Sequence, residues 1–186
     1  MAMQPVELEK FYRLINHGPT TIVSAAADGV ENAMSAAWVC ALDFMPKAKI
    51  SVILDKQAFT RSLVEKSGEL VVQIPVVRQA ELVVALGESR KDNPQKMDTV
   101  ERFYQNGIAA PFVKGCAAWL HCKVIPEPEN HQNHDLFVCE VLSAWADDEI
   151  FSQGHWHFET ADTGWRTLHY IAGGHFYAIG DAIDVG

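Results

Sequence analysis

Alternation with a period of two and spacing with a period of 3.6 divide this chain into short strands and a few short helices. Residues 6–15 (VELEKFYRLI) carry helical spacing that stops at His17-Gly18-Pro19. TTIVSAAA, 20–27, is β-rich, and Asp28-Gly29 predicts a two-residue hairpin into the next strand. AKISVILD, 48–55, reads as a strand. FTRSLVEKSG, 59–68, switches to helical spacing, with Phe59, Leu63 and Lys66 on one face and Gly68 as its stop. ELVVQIP, 69–75, is a buried strand ended by Pro75, and VVRQAELVVALG, 76–87, fits a helix, with a strand as the alternative. TVERFYQNG, 99–107, predicts a further short helix stopped by glycine. CAAWLHCKVI, 116–125, alternates as a strand, EPENHQNH, 127–134, reads as a turn-rich connection, and HDLFVCEVLSAWA, 134–146, is the longest strand. That strand is apolar on both faces, so it either crosses a core or lies under another subunit.

About six strands with short helices in no βαβ rhythm favour a mainly β fold, a closed antiparallel barrel with helical excursions, over a doubly wound sheet. No repeat, low-complexity tract or linker interrupts the chain, which predicts one domain over 1–186. Neither G-x-G-x-x-G nor G-x-x-x-x-G-K-[ST] occurs, so a Rossmann or P-loop nucleotide site has no support.

Charge narrows the partners. With 24 Asp+Glu against 15 Lys+Arg the net charge is −9, and no basic run is present, so nucleic acid is not an expected partner. No apolar run is long enough to span a membrane, and the first residues, MAMQPVELEKFYRL, lack the apolar core of a signal peptide. Four cysteines with no C-x-x-C pair read as reduced and mostly structural, which points to the cytoplasm.

Three groups of residues carry candidate chemistry. The run after the hairpin is built of small residues, Ala33, Ser35, Ala36 and Ala37, closed by the ring of Trp38. A strand that gives up bulky side chains leaves space for something that is not a side chain. Lys56, Thr60 and Arg61 fall at a strand-to-helix junction, where free N–H groups and the helix dipole favour an anion such as phosphate. The competing reading there is a surface helix start with Ser62-Leu63-Val64-Glu65 as a capping box. His131 with His134, and His155 with His157, lack a third ligand at metal-site spacing, so no metal is expected. Nothing near Cys40 in sequence would depress its pKa, and no G-x-S-x-G supports a serine hydrolase.

In order, these pieces resemble the flavin reductase-like, FMN-binding split-barrel family, the group that includes the flavoredoxins. The matching segments are Asn32-Ala33-Met34-Ser35-Ala36-Ala37-Trp38, Asp55-Lys56 with Phe59-Thr60-Arg61, and Gly68 through Pro75. Gly87-Glu88-Ser89-Arg90-Lys91-Asp92, His134-Asp135-Leu136-Phe137 with Glu140-Val141, and Gly173 through Ala178 follow. The chain departs from many members in having Arg90 where they place glycine. The resemblance implies a six-stranded antiparallel Greek-key split β-barrel, a homodimer, and FMN at the dimer interface. It implies that Asn32, Met34, Ser35, Ala37 and Trp38 lie along the flavin and that Lys56, Thr60 and Arg61 sit at its phosphate. Ser89 and Tyr177 would line the same pocket, and His134 would stabilise charge on the reduced ring. The activity implied is electron transfer from NAD(P)H through FMN to an unknown second acceptor. A reductase using flavin as a diffusible substrate, or a non-enzymatic FMN carrier, are the alternatives.

Overall fold

The computed structural model describes residues 18–183 together with residues 7, 9, 14 and 185. Those isolated positions apart, the helix expected over 6–15 lies outside the described residues. Strands β1 (Thr21–Ala27) and β2 (Val30–Ala36) form the expected hairpin, with Ala27 opposite Val30. Asp28 and Gly29 both take positive φ, 52° and 74°, the backbone that a two-residue turn between twisted strands requires. β3 (Val39–Asp43) and β4 (Lys49–Ile53) make a second antiparallel pair. Helix α1 (Phe59–Ser67) ends at Gly68, whose φ of 71° and N–H bond to the Val64 carbonyl close it in the left-handed manner. β5 (Glu69–Ile74) and α2 (Ala80–Gly87) follow, then the short pair β6 (Arg102–Phe103) and β7 (Phe112–Val113), then β8 (Ala118–Val124) and β9 (Leu136–Ala146).

One antiparallel sheet of seven strands runs in the order β2-β1-β5-β8-β9-β4-β3. It has one strand more than the six expected, because the small-residue run breaks at Ala37-Trp38 into β2 and β3. Those two strands are the edges of the sheet, yet only Ala37 and Trp38 separate them in the chain. The sheet must therefore curl until its edges meet, and β2 and β3 do so without pairing. This is the split of a split barrel, in a mainly β protein with few short helices. α1 carries the chain from β4 across to β5 beside β1. Leu63 and Val64 of α1 join Val23, Val52, Leu70, Val72, Phe137 and Cys139 in the barrel core.

A second core lies outside the barrel wall. Ile22 of β1 and Ala33 of β2 pack there with Val83 and Leu86 of α2, and with Met97, Val100 and Val113. β1 is thus buried on both faces, alternate residues serving different cores. The β9 strand behaves so only in its first half. Phe137, Val138 and Cys139 are buried, while Leu142 and Trp145 are exposed in the single chain.

Two further expectations are corrected. The helix expected over 99–107 is absent: Arg102–Phe103 pairs instead with Phe112–Val113, because Phe103 packs on Phe112 and Trp119 and tertiary contact outweighs local propensity. The connection expected at 127–134 is helix α3 (Pro128–His134), begun by a proline in its first turn and ended by Asp135 at a φ of 55°. In the tail, β10 (Phe151–Ser152) pairs with β11 (His155–Trp156), and β12 (Leu168–Ala172) with β13 (His175–Ala178).

Candidate functional site

β2, the start of α1, the end of α2 and the segment that follows α2 enclose a cleft of about 700 Å³. Cavities of roughly 300–1,000 Å³ are the usual size for small-molecule sites. Among the described residues its lining has four cations, Lys56, Arg90, Lys91 and Lys96, against the carboxylates Asp55 and Glu88. The local balance is positive in a chain whose net charge is −9.

The first turn of α1 opens on this cleft through Ala58, Phe59 and Thr60. α1 has no acidic residue in its first turn and no side-chain cap, so its start at the cleft is left uncapped by any side chain. The capping box considered at Ser62 does not form: Ser62 Oγ donates to the Phe59 carbonyl, and Glu65 accepts from Arg61 Nε at 2.8 Å. Thr60 is fully buried, and its hydroxyl accepts a bond of 2.8 Å from Asn32 Nδ2. Asn32 is 1 % exposed and lines the cleft, and its Oδ1 is buried without a partner. An orphaned acceptor of this kind normally costs about 1–3 kcal/mol and marks a place where a donor belongs.

Lys56 is exposed at the mouth of the cleft. Arg61, expected beside it, is not in the lining. Its side chain is 4 % exposed and points into the protein. Nη1 donates to the Leu54 carbonyl at 2.9 Å and to Asp135, and Nη2 donates to the His131 carbonyl at 2.8 Å. The guanidinium also lies 5.2 Å from the Phe137 ring centre. Burial opposes its charge, but the bonds to Glu65 and Asp135 prevail and hold its proton more firmly than usual. Arg61 therefore locks α1 to α3 and β9.

The other three cations of the cleft come from a segment whose charge pattern alone suggested no site. Arg90 donates to the Glu31 carbonyl at 2.9 Å and lies 4.5 Å from the centre of the Phe59 ring. Lys96 is 5 % exposed, and its ammonium donates to the carbonyls of Leu86 at 3.0 Å and Glu88 at 2.7 Å. Ser89 also lines the cleft, its hydroxyl donating to Asp92 at 2.6 Å.

A smaller pocket of about 370 Å³ adjoins the cleft and shares Ser35, Gly87 and Glu88 with it. Its wall includes Ala36 and Ala37 of the small-residue run, facing Val83, Val84, Tyr170 and Phe176. Ser35 donates its hydroxyl proton to the Val83 carbonyl and so ties β2 to α2. Met34 lines the larger cleft. Trp38 stands 51 % exposed just beyond Ala37, outside the lining of both cavities. Two expected residues are elsewhere in the single chain. His134 is exposed at the end of α3, and Tyr177 is 68 % exposed on β13.

Among the described residues no group of three or more His, Cys, Asp or Glu could hold a metal. His157 instead shares a 3.0 Å hydrogen bond with Ser152, and Trp156 stacks on Phe158. Cys40 is exposed, whereas burial pushes the thiols of Cys116 and Cys139 up to about 12. No helix among the described residues is long and apolar enough to cross a membrane.

A family model described as the flavin reductase like domain matches residues 13–177. YddH of Escherichia coli strain K12 is 31 % identical over 196 residues, spanning 98 % of this chain and 97 % of its own. Among solved structures, an FMN-binding domain of a flavin reductases-like enzyme from Shewanella baltica OS155 is 52 % identical. It superposes with a TM-score of 0.88 over 97 % of this chain and 96 % of its own. Flavoredoxin of Desulfovibrio vulgaris (Miyazaki F), 20 % identical, shares the fold with a TM-score of 0.75, over 89 % of this chain and 88 % of its own.

Proposed function

The chain belongs to the flavin reductase like domain family, and from that premise we propose that it is an FMN-binding oxidoreductase taking electrons from NAD(P)H and passing them to a second acceptor. The observation that carries this reading is the adjacency of the two cavities, which share Ser35, Gly87 and Glu88 in their walls. A cationic cleft at an uncapped helix start adjoins an apolar pocket walled by small residues. A phosphate ester with a flat ring system has that polarity along its length, and its charge of about −1.5 to −2 at neutral pH matches the cationic end.

In this reading the Thr60 hydroxyl, the first amides of α1, Lys56 and Arg90 hold the phosphate. Asn32 Oδ1 lacks a donor and a phosphate dianion offers none, so Asn32 suits a ribityl hydroxyl, with Ser89 close by on the cleft wall. Ser35 and Ala37 are small enough to let the ring approach the backbone of β2, with Met34 and Trp38 flanking it. A bound flavin would supply the redox chemistry itself, hydride acceptance and electron release. The chain supplies position, charge and exclusion of water, and no acid or base of its own is required.

The same reading is a cytoplasmic homodimer. Trp38, Leu42, Phe44 and Met45 expose apolar surface along the β3 edge beside the ring pocket, and a second copy would cover them. His134 and Tyr177, outside the cleft of their own chain, then act across the two-fold on the partner's site. Absorbance of purified protein tests the cofactor, and anaerobic addition of NADH or NADPH tests the donor. Flavin bands that bleach with one of them are expected. Protein that takes up no FMN when titrated overturns the reading.

A further inference from the structure

One wall of the cleft is neither helix nor strand. Residues 88–101 run in turns from the end of α2 to β6, and five of them, Glu88, Ser89, Arg90, Lys91 and Lys96, line the cleft. Met97 and Val100 plug this segment into the second core. Its polar ties to the sheet converge on Glu31 of the edge strand β2. The main-chain carbonyl of Glu31 accepts from Arg90 at 2.9 Å. Its carboxylate accepts from Arg102 Nε at 2.6 Å on one oxygen and from the Tyr104 hydroxyl at 2.8 Å on the other. Arg102 Nη1 reaches back to the carbonyls of Met97 at 3.0 Å and Val100 at 3.1 Å. One guanidinium thus joins the far end of the segment to β2. Neither Glu31 nor Arg102 lines the cleft or the ring pocket. Glu31 and Tyr104 line a separate cavity of about 430 Å³ at the tip of the β1–β2 hairpin.

We propose that the Glu31 carboxylate, Arg102 and Tyr104 form a clip that fixes this wall of the cleft, and that the clip sets how long FMN stays bound. The inference rests on the FMN reading above. It concerns residence rather than recognition, because the three groups lie outside both linings of the flavin site. A ligand seated between α1 and this segment leaves when the wall gives way, and local opening of that kind costs the contacts that hold the wall. Affinity differences among variants of one binding surface fall mostly on the dissociation rate. Arg102 and Glu31 are both part-exposed, so water competes for the clip, and it opens more readily than the buried plugs at Met97 and Val100. Whether flavin behaves as a resident cofactor or as a diffusible substrate is then decided by side chains that do not touch it. These are positioning residues.

The test measures both rate constants for FMN on full-length protein: wild type, Arg102→Met, Arg102→Lys and Tyr104→Phe. Association is read by stopped flow as flavin fluorescence changes on mixing with flavin-free protein. Dissociation is read as free-flavin fluorescence returns on dilution of the loaded protein. Wild type that binds no FMN removes the underlying reading before any variant is compared. Arg102→Met is expected to raise the dissociation rate about tenfold or more, with an association rate equal to or faster than that of wild type. Lysine keeps the charge but lacks the fork that reaches Glu31 and the two carbonyls together, so Arg102→Lys should fall between methionine and wild type. Tyr104→Phe removes one bond at a side chain already 54 % exposed, and it decides the matter if Arg102→Met does not fold. Its release should be about threefold faster than wild type. An unchanged dissociation rate in the folded variants, or a loss of affinity carried by slower association, would overturn the clip.

Discussion

Replacing Arg61 with methionine separates a structural guanidinium from a ligand-binding one. Methionine keeps most of the stem but removes every donor. Two carbonyls, Leu54 and His131, lose their charged donor, and Asp135 loses its buried partner. The pair with Glu65, whose side chain is 43 % exposed, contributes little, about 0.3–0.5 kcal/mol. The stranded buried groups dominate, and breaking such a network costs about 3–5 kcal/mol. For a chain of this size each kcal/mol lowers the melting temperature by about 2–4 °C. Urea unfolding followed by tryptophan fluorescence should show the loss as a lower midpoint at constant slope. Measured on the folded fraction, the preference for FMN over riboflavin should stay within about twofold of wild type, since Arg61 is absent from the cleft lining. A stable variant that loses FMN selectively would refute this reasoning and return Arg61 to the phosphate.

Ala37→Leu should exclude flavin while leaving the barrel folded, because the side chain enters the ring pocket rather than the core; a destabilised protein with stoichiometric flavin would reject that pocket. Gly68→Ala should cost about 1–2 kcal/mol by thermal melting, for it places a Cβ at a φ of 71° where no neighbouring atom would clash. A disulfide reagent should modify at most one thiol per chain, Cys40, before unfolding and four afterwards, and a second fast thiol would contradict the burial of the other three. Dilution should release flavin and monomer together, with added FMN shifting dissociation to lower protein concentration; light scattering from a stable monomer that keeps its FMN would refute the shared interface.

The strands and the two turns that set the fold were legible because they are local. Asp28-Gly29 and Gly68 each meet a backbone demand that few other residues satisfy. The stretch at 99–107 misled because Phe103 answers to Phe112 and Trp119, partners that no window along the chain includes. At the site, the small-residue run and the helix start at Thr60 could be read from residue type. The direction of a side chain could not. Arg61 and Lys56 look alike as basic residues near a helix N-terminus, and only tertiary packing turns one inward to Asp135 and leaves the other at the cleft. Lys96 gave no signal at all, since a lone lysine among Asp, Asn and Gln reads as a solvated loop. Its burial comes from the end of α2 folding back against that loop.

The seam between β2 and β3 bears on how such a site can evolve. Each strand pairs on one side only, so its outer row of main-chain N–H and C=O groups has no partner strand. A molecule lying along the seam meets atoms that every residue carries. Selection at Ala36 and Ala37 then acts on volume more than on side-chain identity, and a leucine is an error there. Recognition of that kind survives long sequence drift, because the recognising groups are inherited with the topology. The charged end of the cleft has no such protection. Its cations come from individual side chains, so divergence in ligand preference has its shortest route there, one substitution at a time.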